Sequence, residues 1–388
     1  MIDDQGDQPM MLRSQVLRSS TLRALIAGLV IIAAVAVTIS LSPREASARA
    51  AAKVQTITVK TPANYVPKPP DGAKDLYHCS VVNPHLKQDM VVTTTAFHPG
   101  TKEVHHAIVY RVDPEHAAAA QELNNNGKGW TCFGEPSLSN DALGEFSGMP
   151  WLCGWSPGHG ADVMPTGLGA PLQKGSVLIV QIHYNTLIGA KPDSSYVTMK
   201  AVPAAGSNIQ TVSIQQLPAA LDIPCPEGVT GPLCDRAASI ADLSKRFGSA
   251  AAITVYGLER FCGRDPMNPP VGNSTSCTWP VRGNEVIQRI TPHMHLLGQS
   301  MTVTVNPGTP QAQVILNVPN YNFDNQVAHN ITPTVHVGPG DKIEVSCTWN
   351  PSLRALNPQT KKLPPRFITW GDGSSDEMCL AVMTTTPA

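Results

Sequence analysis

The chain has 388 residues, with 28 Lys and Arg against 29 Asp and Glu and a formal net charge of −1. Only 15% of its residues are charged and 42% are hydrophobic, which excludes a charge-driven nucleic-acid binder and an acidic disordered chain. The 30 glycines and 35 prolines favour short strands and many turns over long helices. The composition therefore predicts a β-rich protein, and the length indicates two domains.

The N-terminus has the order of a secretory signal. Three arginines precede an uncharged apolar run over residues 24–41, and Ala46-Ser47-Ala48 follows. As a helix the run would measure about 27 Å, close to the roughly 30 Å of a bilayer core, so residues 1–48 are either a cleaved signal peptide or a retained signal anchor. In both cases the basic flank stays inside and the rest of the chain lies outside the cytoplasm, secreted or periplasmic. It meets a membrane only if the run is an uncleaved anchor.

Short segments dense in Val, Ile and Thr, bounded by Gly, Pro, Asn or Asp, predict strands through the rest of the chain. The predicted strands cover residues 90–96, 104–112, 176–185, 286–290, 300–305, 313–318, 342–348 and 377–385. Two short helices are predicted over residues 115–124 and 236–247.

A Pro/Ala/Gly stretch at residues 201–206 is the best candidate for a linker. It divides the chain into an N-terminal domain over residues 49–205 and a C-terminal domain over residues 206–388, each long enough for a β-sandwich. Residues 222–280 are predicted to be a disulfide-stapled insertion at the start of the C-terminal domain.

Nine cysteines, an odd number, indicate at least one unpaired thiol in a compartment where disulfides persist. No Cys-x-x-Cys occurs, so zinc-ribbon and thioredoxin-like sites have little support. Sequence does not fix connectivity, but eight cysteines lie in spaced pairs that we hypothesise to be disulfides: Cys132–Cys153, Cys225–Cys234, Cys262–Cys277 and Cys347–Cys379. Cys79 is left over.

Three histidines of the predicted N-terminal domain lie in apolar strands. His105 and His106 are adjacent, and His183 lies in a later strand. Adjacent side chains on an ideal strand point to opposite faces, so both can bind one ion only if the strand bulges or twists there. Three imidazoles suit copper, zinc, iron or nickel about equally, although a histidine such as His183 is more often a hydrogen-bonded core residue.

A second set of candidate ligands lies in the predicted C-terminal domain. His293 and His295 are two residues apart, so a strand would place them on one face about 6.5–7 Å apart. Such a pair is also common in cores and on surfaces. Met378, on its own more often a core residue, would be a soft ligand that zinc sites rarely use and Cu(I) accepts. The only nearby cysteine, Cys379, follows Met378 directly, which is a poor fit to a blue-copper site. The residues allow one His₃ site and one His₂Met site, and the second points to copper.

Four blocks of sequence resemble the copper type II, ascorbate-dependent monooxygenases. The blocks are His-His-Ala-Ile-Val-Tyr from residue 105, Gln-Ile-His-Tyr-Asn from 181, His-Met-His-Leu-Leu-Gly from 293 and Gly-Asp-Gly-Ser-Ser-Asp-Glu-Met-Cys from 371. Residues 77–79 and 151–158 are also similar to the family's first domain. The resemblance covers about residues 75–385, and the blocks stand in the family's order with similar gaps.

The resemblance implies two jelly-roll-like antiparallel β-sandwich domains, with two copper ions per chain facing each other across a cleft. The ligands of the electron-supplying copper match His105, His106 and His183. The ligands of the copper that binds O₂ and carries out the catalytic hydroxylation match His293, His295 and Met378. Ascorbate would supply the electrons, one atom of O₂ would enter a C–H bond of a small organic or peptidic substrate, and the other would leave as water.

The leading prediction is therefore an exported copper-dependent monooxygenase with ascorbate as co-substrate. The alternative is an exported copper-binding carrier or electron-transfer protein without turnover. A carrier has no need of a split His₃ and His₂Met pair, so the presence of all six ligands favours the enzyme.

The chain departs from the peptide-amidating members of the family at substrate-binding positions. Thr291 stands where those members have Arg, and Leu380 and Val382 stand where they have Asn and Tyr. Small or apolar groups replace those that would hold a peptide C-terminus, so we expect a less polar substrate. The family's later cysteine has no counterpart in the ten residues after Met378, and for this reason the resemblance pairs Cys277 with Cys262.

Overall fold

Antiparallel strands dominate the structure, a computed structural model that describes residues 53–69, 74–133, 151–186 and 189–388. This confirms the predicted all-β class. Residues 49–388 form one compact unit, and the predicted signal segment 1–48 lies outside the described residues. Within the described ranges, no helix has both the length and the apolar character needed to cross a membrane.

The first half is a sandwich of two sheets. Its strands are β1 (Gln55–Lys60), β2 (Asp75–Val82), β3 (Met90–His98), β4 (Val104–Val112), β5 (Trp130–Thr131), β6 (Trp151–Trp155), β7 (Asp162–Val163), β8 (Leu168–Leu172), β9 (Val177–Asn185), β10 (Tyr196–Pro203) and β11 (Gln210–Thr211). One sheet has the order β1-β10-β3-β8-β11 with β7 beside β3, and the other has the order β5-β2-β9-β4-β6. A short helix, α1 (Ala117–Leu123), follows β4 within the predicted helical segment.

The second half is also built around two four-stranded sheets. Its strands are β12 (Ser213–Pro218), β13 (Asp222–Ile223), β14 (Ser274–Pro280), β15 (Glu285–Met294), β16 (Gly298–Val305), β17 (Gln313–Val318), β18 (His329–Val337), β19 (Lys342–Trp349), β20 (Ile368–Thr369) and β21 (Cys379–Pro387). The sheets have the orders β12-β21-β15-β18 and β14-β19-β16-β17, and β13 pairs with β20. Its helices are α2 (Arg236–Phe247), α3 (Ser249–Phe261) and α4 (Leu353–Leu356).

The strands that carry candidate ligands have two buried faces. In β9, Leu178, Val180 and Ile182 pack into the core of the first sandwich, while Ile179 packs into a second cluster on the other side of the sheet. His183 follows the same alternation as Ile179 and so lies on the outer face. The outer face of this sheet is therefore covered rather than solvated, which explains why β9 is apolar without alternating with polar residues.

The stretch predicted to be a linker is partly strand. Residues 201–203 complete β10, and Ala201 is fully buried. Strands as far as Thr211 pair with sheets of the first half, and strands from Ser213 onward pair with sheets of the second half. In the predicted insertion over residues 222–280, the last strand, β14, is an edge strand of the second sandwich. The disulfide-bonded segment outside the sandwich is therefore the connection between β13 and β14, which contains α2 and α3.

One predicted disulfide is wrong. Cys79 bonds to Cys132 with a Cα–Cα distance of 5.9 Å, and Cys153 is unpaired and buried. β5 and β6 form opposite edges of a five-stranded sheet, so four strand spacings, about 19 Å, separate the region of Cys132 from Cys153. That distance is far beyond the reach of a disulfide, whereas β5 lies directly beside β2, which carries Cys79.

The other three expected pairs are present in the structure. They are Cys225–Cys234, Cys262–Cys277 and Cys347–Cys379. The last of these joins β19 to the start of β21, one residue after Met378, and so links the two sheets of the second sandwich beside a candidate ligand.

Candidate metal centres

A β-bulge brings the adjacent His105 and His106 to one site. Val104 lies opposite Tyr184 and His106 lies opposite His183, so β4 has one more residue than β9 over this step. This is the bulge that two neighbouring histidines need in order to reach one ion. One ring nitrogen from each of the three histidines lies within 4.8 Å of the others.

His183 is held in one orientation by its surroundings. It is fully buried, its Nε2 lies 2.8 Å from Asp75 Oδ1, and the Tyr77 ring stacks on it at a centroid distance of 4.2 Å. Its Nδ1 faces Nδ1 of His106 at 3.2 Å. Burial alone would raise the pKa of Asp75, but the hydrogen bond and charge of His183 outweigh it and the pKa is lowered. A carboxylate behind one imidazole nitrogen leaves the other nitrogen for a metal, the usual arrangement around protein metal ligands.

An unpaired ring nitrogen in the three-histidine cluster is consistent with a metal site. Nδ1 of His105 is buried and has no hydrogen-bond partner among the described residues. Burial, followed by the neighbouring His183, lowers the pKa of His105 to about 3, and burial also lowers the pKa of His106 well below its usual value. Neutral imidazoles are the form that binds metal ions, so both ligands are ready at neutral pH without losing a proton.

The second set of ligands meets where β15 and β21 run side by side. His293 lies opposite Leu380 and Met294 lies opposite Cys379, so one further step of the register places His295 beside Met378. The rings of His293 and His295 are 5.3 Å apart between centroids and perpendicular. Both histidines and Met378 line one cavity of about 80 Å³. The structure therefore brings together the His₂Met set that the sequence suggests.

Hydrogen bonds orient both histidines of this set through Nδ1. Nδ1 of His293 lies 2.6 Å from Oε1 of Gln326, and Nδ1 of His295 lies 3.1 Å from the backbone oxygen of Asp376. Burial lowers the pKa of both rings. Nε2 of each ring is thus the nitrogen left for an ion, and the set offers two neutral nitrogens and a thioether.

A buried carboxylate fixes the turn that carries His295. Glu377 is fully buried and accepts hydrogen bonds from the backbone N–H of His295 at 3.0 Å and of Leu297 at 2.6 Å, and from Nε1 of Trp349 at 3.0 Å. Burial raises the pKa of Glu377 to about 8, although these three donors oppose the rise. Because Glu377 directly precedes Met378, the same residue locks both His295 and the methionine in place.

Residues 272–384 match the copper type II ascorbate-dependent monooxygenase, C-terminal domain. This part of the chain is similar to that domain. The matched segment runs from just before β14 to near the end of β21 and contains His293, His295 and Met378. The resemblance seen in the sequence is confirmed over this monooxygenase domain.

Solved structures show only distant likenesses. The major capsid protein P2 from bacteriophage PM2 is 7% identical over 86% of this chain and 97% of its own, with a TM-score of 0.33. PNGF-II is 10% identical over 86% of this chain and 66% of its own, with a TM-score of 0.36. At such TM-scores neither likeness supports a statement about function.

The matched segment faces the three-histidine cluster. His106 lines the same cavity as His293, His295 and Met378. The Phe323 ring stacks on His105 at 5.2 Å and meets the edge of the His295 ring at 6.2 Å. The two candidate centres therefore lie on opposed faces of the two halves, with one aromatic ring in contact with both.

A second cavity, of about 100 Å³, adjoins both centres and is mostly apolar. Its lining includes His105, His106 and His293, several aromatic and aliphatic side chains, and Thr291 and Val382 on paired positions of β15 and β21. Its charged residues besides the histidines are Asp324, Arg289 and Asp162. The last two form an ion pair at 2.6 Å between the two halves.

Several residues that organise these centres could not be found from sequence. Asp75, Gln326 and Phe323 stand in no recognisable spacing to the ligands, and each reaches them only through folding. Glu377 lies inside a block that resembles the family, but a role as a backbone acceptor is not visible in sequence. Arg289 lies four residues before His293, and this spacing places both side chains on one face of a strand. The spacing could have indicated that Arg289 lies near the candidate centre.

Proposed function

We propose that the chain is a copper-dependent monooxygenase that binds two copper ions and hydroxylates a C–H bond of a small organic or peptidic substrate with O₂ and ascorbate. One observation carries the proposal: His106 of the His₃ set lines the same cavity as the complete His₂Met set, and the second set lies in the segment that matches this family. A carrier would need only one set.

Bound copper would supply the one-electron chemistry through which O₂ is reduced and the substrate oxidised. The protein's own part is to present neutral ligands and hold their orientation. Asp75 and Gln326 fix one ring of each set, and Glu377 fixes the backbone between His295 and Met378. The thioether of Met378 favours the softer Cu(I) at the second centre, whereas three imidazoles suit either oxidation state.

The cavity beside the centres supports a weakly polar substrate. Thr291, Val382 and Leu380 replace the polar groups with which amidating relatives would hold a carboxylate. The nearby guanidinium of Arg289 is neutralised by Asp162, so it offers no free charge to an anionic group. We infer that uncharged molecules with apolar bodies bind here in preference to peptides with a free C-terminus.

We also propose an extracytoplasmic location, secreted or periplasmic. Four disulfides are present among the described residues, and disulfides persist outside the reducing cytoplasm. The basic and apolar order of the first 48 residues supports export.

The test is metal content together with turnover. The chain is loaded with copper, its stoichiometry is measured, and O₂ uptake with ascorbate is followed over a panel of neutral aromatic and aliphatic molecules and glycine-extended peptides. We expect two coppers per chain and O₂ uptake matched one to one by hydroxylated product from a neutral substrate. One copper per chain without product on the whole panel would favour the carrier, and a preference for the peptides would contradict the substrate assignment.

A further inference from the structure

A third cavity, of about 220 Å³, shares no lining residue with the two cavities described above and reaches the His₃ cluster through Asp75. Lys74, Asp75 and Asn185 of the first half line it together with residues of the second half. Asp75 is the residue whose carboxylate lies 2.8 Å from His183. A ligand in this cavity would be separated from the buried imidazole by a single side chain.

The cavity carries an excess of positive charge. Four cationic side chains line it: Lys74, Arg246, Arg354 and Arg366. Three carboxylates oppose them: Asp75 and Asp242 in the lining, and Asp376 in contact with the arginines. The balance leaves one positive charge, which suits a small monoanion.

Within the described ranges, two of these cations have no acidic partner. Arg246 and Arg366 pair with Asp242 and Asp376. In contrast, no carboxylate pairs with Lys74 or Arg354 among the described residues. In the part of the chain that the structure describes, Arg354 donates to the backbone oxygens of Ser375 at 3.4 Å and Pro364 at 2.9 Å.

The charge on Arg354 is poorly compensated. Burial, and then the charge of Arg366, lower the pKa of Arg354 to about 10. An anion beside it would relieve both effects. The lining also holds unpaired hydrogen-bonding atoms, because Nε of Arg366 and Oε1 of Gln359 are buried without a partner in the described part of the chain. An anion with several hydroxyl groups could satisfy a donor and an acceptor of this kind.

From this geometry we propose that the cavity is the binding site of the anionic reductant, a small enediol monoanion such as ascorbate, held by Arg354 and Lys74 beside the Asp75–His183 pair. The proposal rests on the proposed monooxygenase function. It places the electron donor next to the His₃ cluster and keeps it out of the apolar cavity that takes the substrate.

The electron balance agrees with a site for a single negative charge. Each enediol monoanion gives up one electron to the His₃ centre and releases its remaining enediol proton to solvent. It leaves as a radical anion that still carries one negative charge. Two such events supply the two electrons and two protons needed to convert O₂ and a C–H bond into a hydroxyl group and water.

The test begins with binding and without metal. Ascorbate is titrated anaerobically into the metal-free full chain by calorimetry, and inorganic phosphate is titrated separately. We expect Arg354→Gln to weaken ascorbate binding by about tenfold or more, as for loss of a charged hydrogen bond, and Lys74→Gln to weaken it by a smaller factor. Lys74 is exposed, so its substitution reports on binding even if Arg354→Gln does not fold. Arg282→Gln, at an exposed arginine outside the cavity, is the matched control and should bind ascorbate like the unmodified chain.

The outcomes separate this site from the proposed function. Absence of ascorbate binding, equal binding by the cavity variants and the control, or phosphate binding as tight as that of ascorbate would each overturn the site. In copper-loaded protein, Arg354→Gln should raise the KM for ascorbate, and an unchanged KM would refute the site while leaving the monooxygenase intact. Ascorbate binding that depends on Arg354, in a protein that shows no turnover, would support the site and contradict the proposed monooxygenase function.

Discussion

The hydrogen bond between His183 and Asp75 makes the sharpest prediction about the His₃ centre. Asp75→Ala removes the carboxylate that lies 2.8 Å from Nε2 of the fully buried His183. The ring then loses the group that fixes which nitrogen faces His105 and His106. Asp75→Asn keeps an acceptor oxygen in place and removes only the charge, so it should have the smaller effect.

The size of the loss follows from the contact. A hydrogen bond to a charged group contributes about 1.5–3 kcal/mol. The Asp75 side chain is 23% exposed, so solvent screens part of the interaction and the lower half of that range applies. About 1.5–2 kcal/mol corresponds to a roughly 10- to 30-fold weaker binding constant. This agrees with the 10- to 100-fold losses typical when the partner of a metal-binding histidine is removed.

The assay is an anaerobic competition titration with a chromophoric Cu(I) chelator on the full chain. One of the two copper equivalents should weaken in Asp75→Ala, and the other should keep its affinity. Asn185→Ala is the matched control, because its amide donates to the same oxygen at the longer distance of 3.4 Å and its loss should change either affinity by about twofold or less. If Asp75→Ala holds both coppers as tightly as the unmodified chain, the carboxylate does not orient a ligand and the assignment of His183 fails.

Three further predictions concern other sites. Met378→Ala should abolish hydroxylation and leave one copper per chain on the three histidines, as metal analysis would show; two retained coppers would contradict the ligand assignment. Denatured protein should expose one thiol that can be alkylated, and peptide mapping should place it at Cys153. Native protein should not be alkylated at neutral pH, because burial raises the pKa of this thiol to about 12. Label at Cys79 instead would support the rejected Cys132–Cys153 disulfide. Burial lowers the pKa of His78 to about 4, from 6.5 in the unfolded chain. Between these two pH values the unfolded chain holds a proton that the folded chain lacks. The contribution of neutral His78 to the free energy of unfolding is therefore complete above pH 6.5 and is lost as the pH falls towards 4. His78→Phe keeps an aromatic ring stacked on Tyr65 and removes the titrating group. Urea titrations should then show that the free energy of unfolding falls less steeply with decreasing pH over that range, by up to about 1.4 kcal/mol per pH unit. An unchanged slope would show that His78 is not the group that titrates.

The strands were predictable where hydrophobic pattern and turn residues agree. β4 and β17 have the predicted bounds, and β9 begins one residue later than predicted. β2 was missed because its central residues Tyr77, His78 and Cys79 do not alternate, and both of its faces are buried. α3 was missed because β-branched residues and a glycine follow its alanines and weaken the helix pattern, yet it packs against α2.

The candidate ligands could be proposed from the sequence for a different reason. A bulge, a His-x-His pair and a methionine are local features, and a resemblance in sequence can assign them one by one. The pairing of Cys79 with Cys132, in contrast, does not follow from any local feature of the sequence. Cys79 and Cys132 meet only because β5 joins β2 at the sheet edge, and nothing in the spacing of the residues reveals that edge. The same holds for Asp75, which comes to His183 across 108 residues of chain.

The burial of the candidate histidine ligands comes from the contact between the two halves. His293, Thr291 and Arg289 share the outer face of β15, while Ile290 and Met294 point into the sandwich core. On an isolated sandwich such an outer face would meet water and its imidazoles would titrate near their ordinary pKa. Here the opposed half removes the water, and His293 and His295 stand among the groups that lower the pKa of His106. The two centres are therefore coupled electrostatically, since a positive charge at either one disfavours a positive charge at the other. The proposed ligands are five imidazoles and one thioether, and Asp75 is the carboxylate in contact with one of them, so the protein would offer little negative charge to two divalent ions. If both proposed centres hold copper, this arrangement would favour its monovalent state, the state that the proposed reductant beside the Asp75–His183 pair would restore.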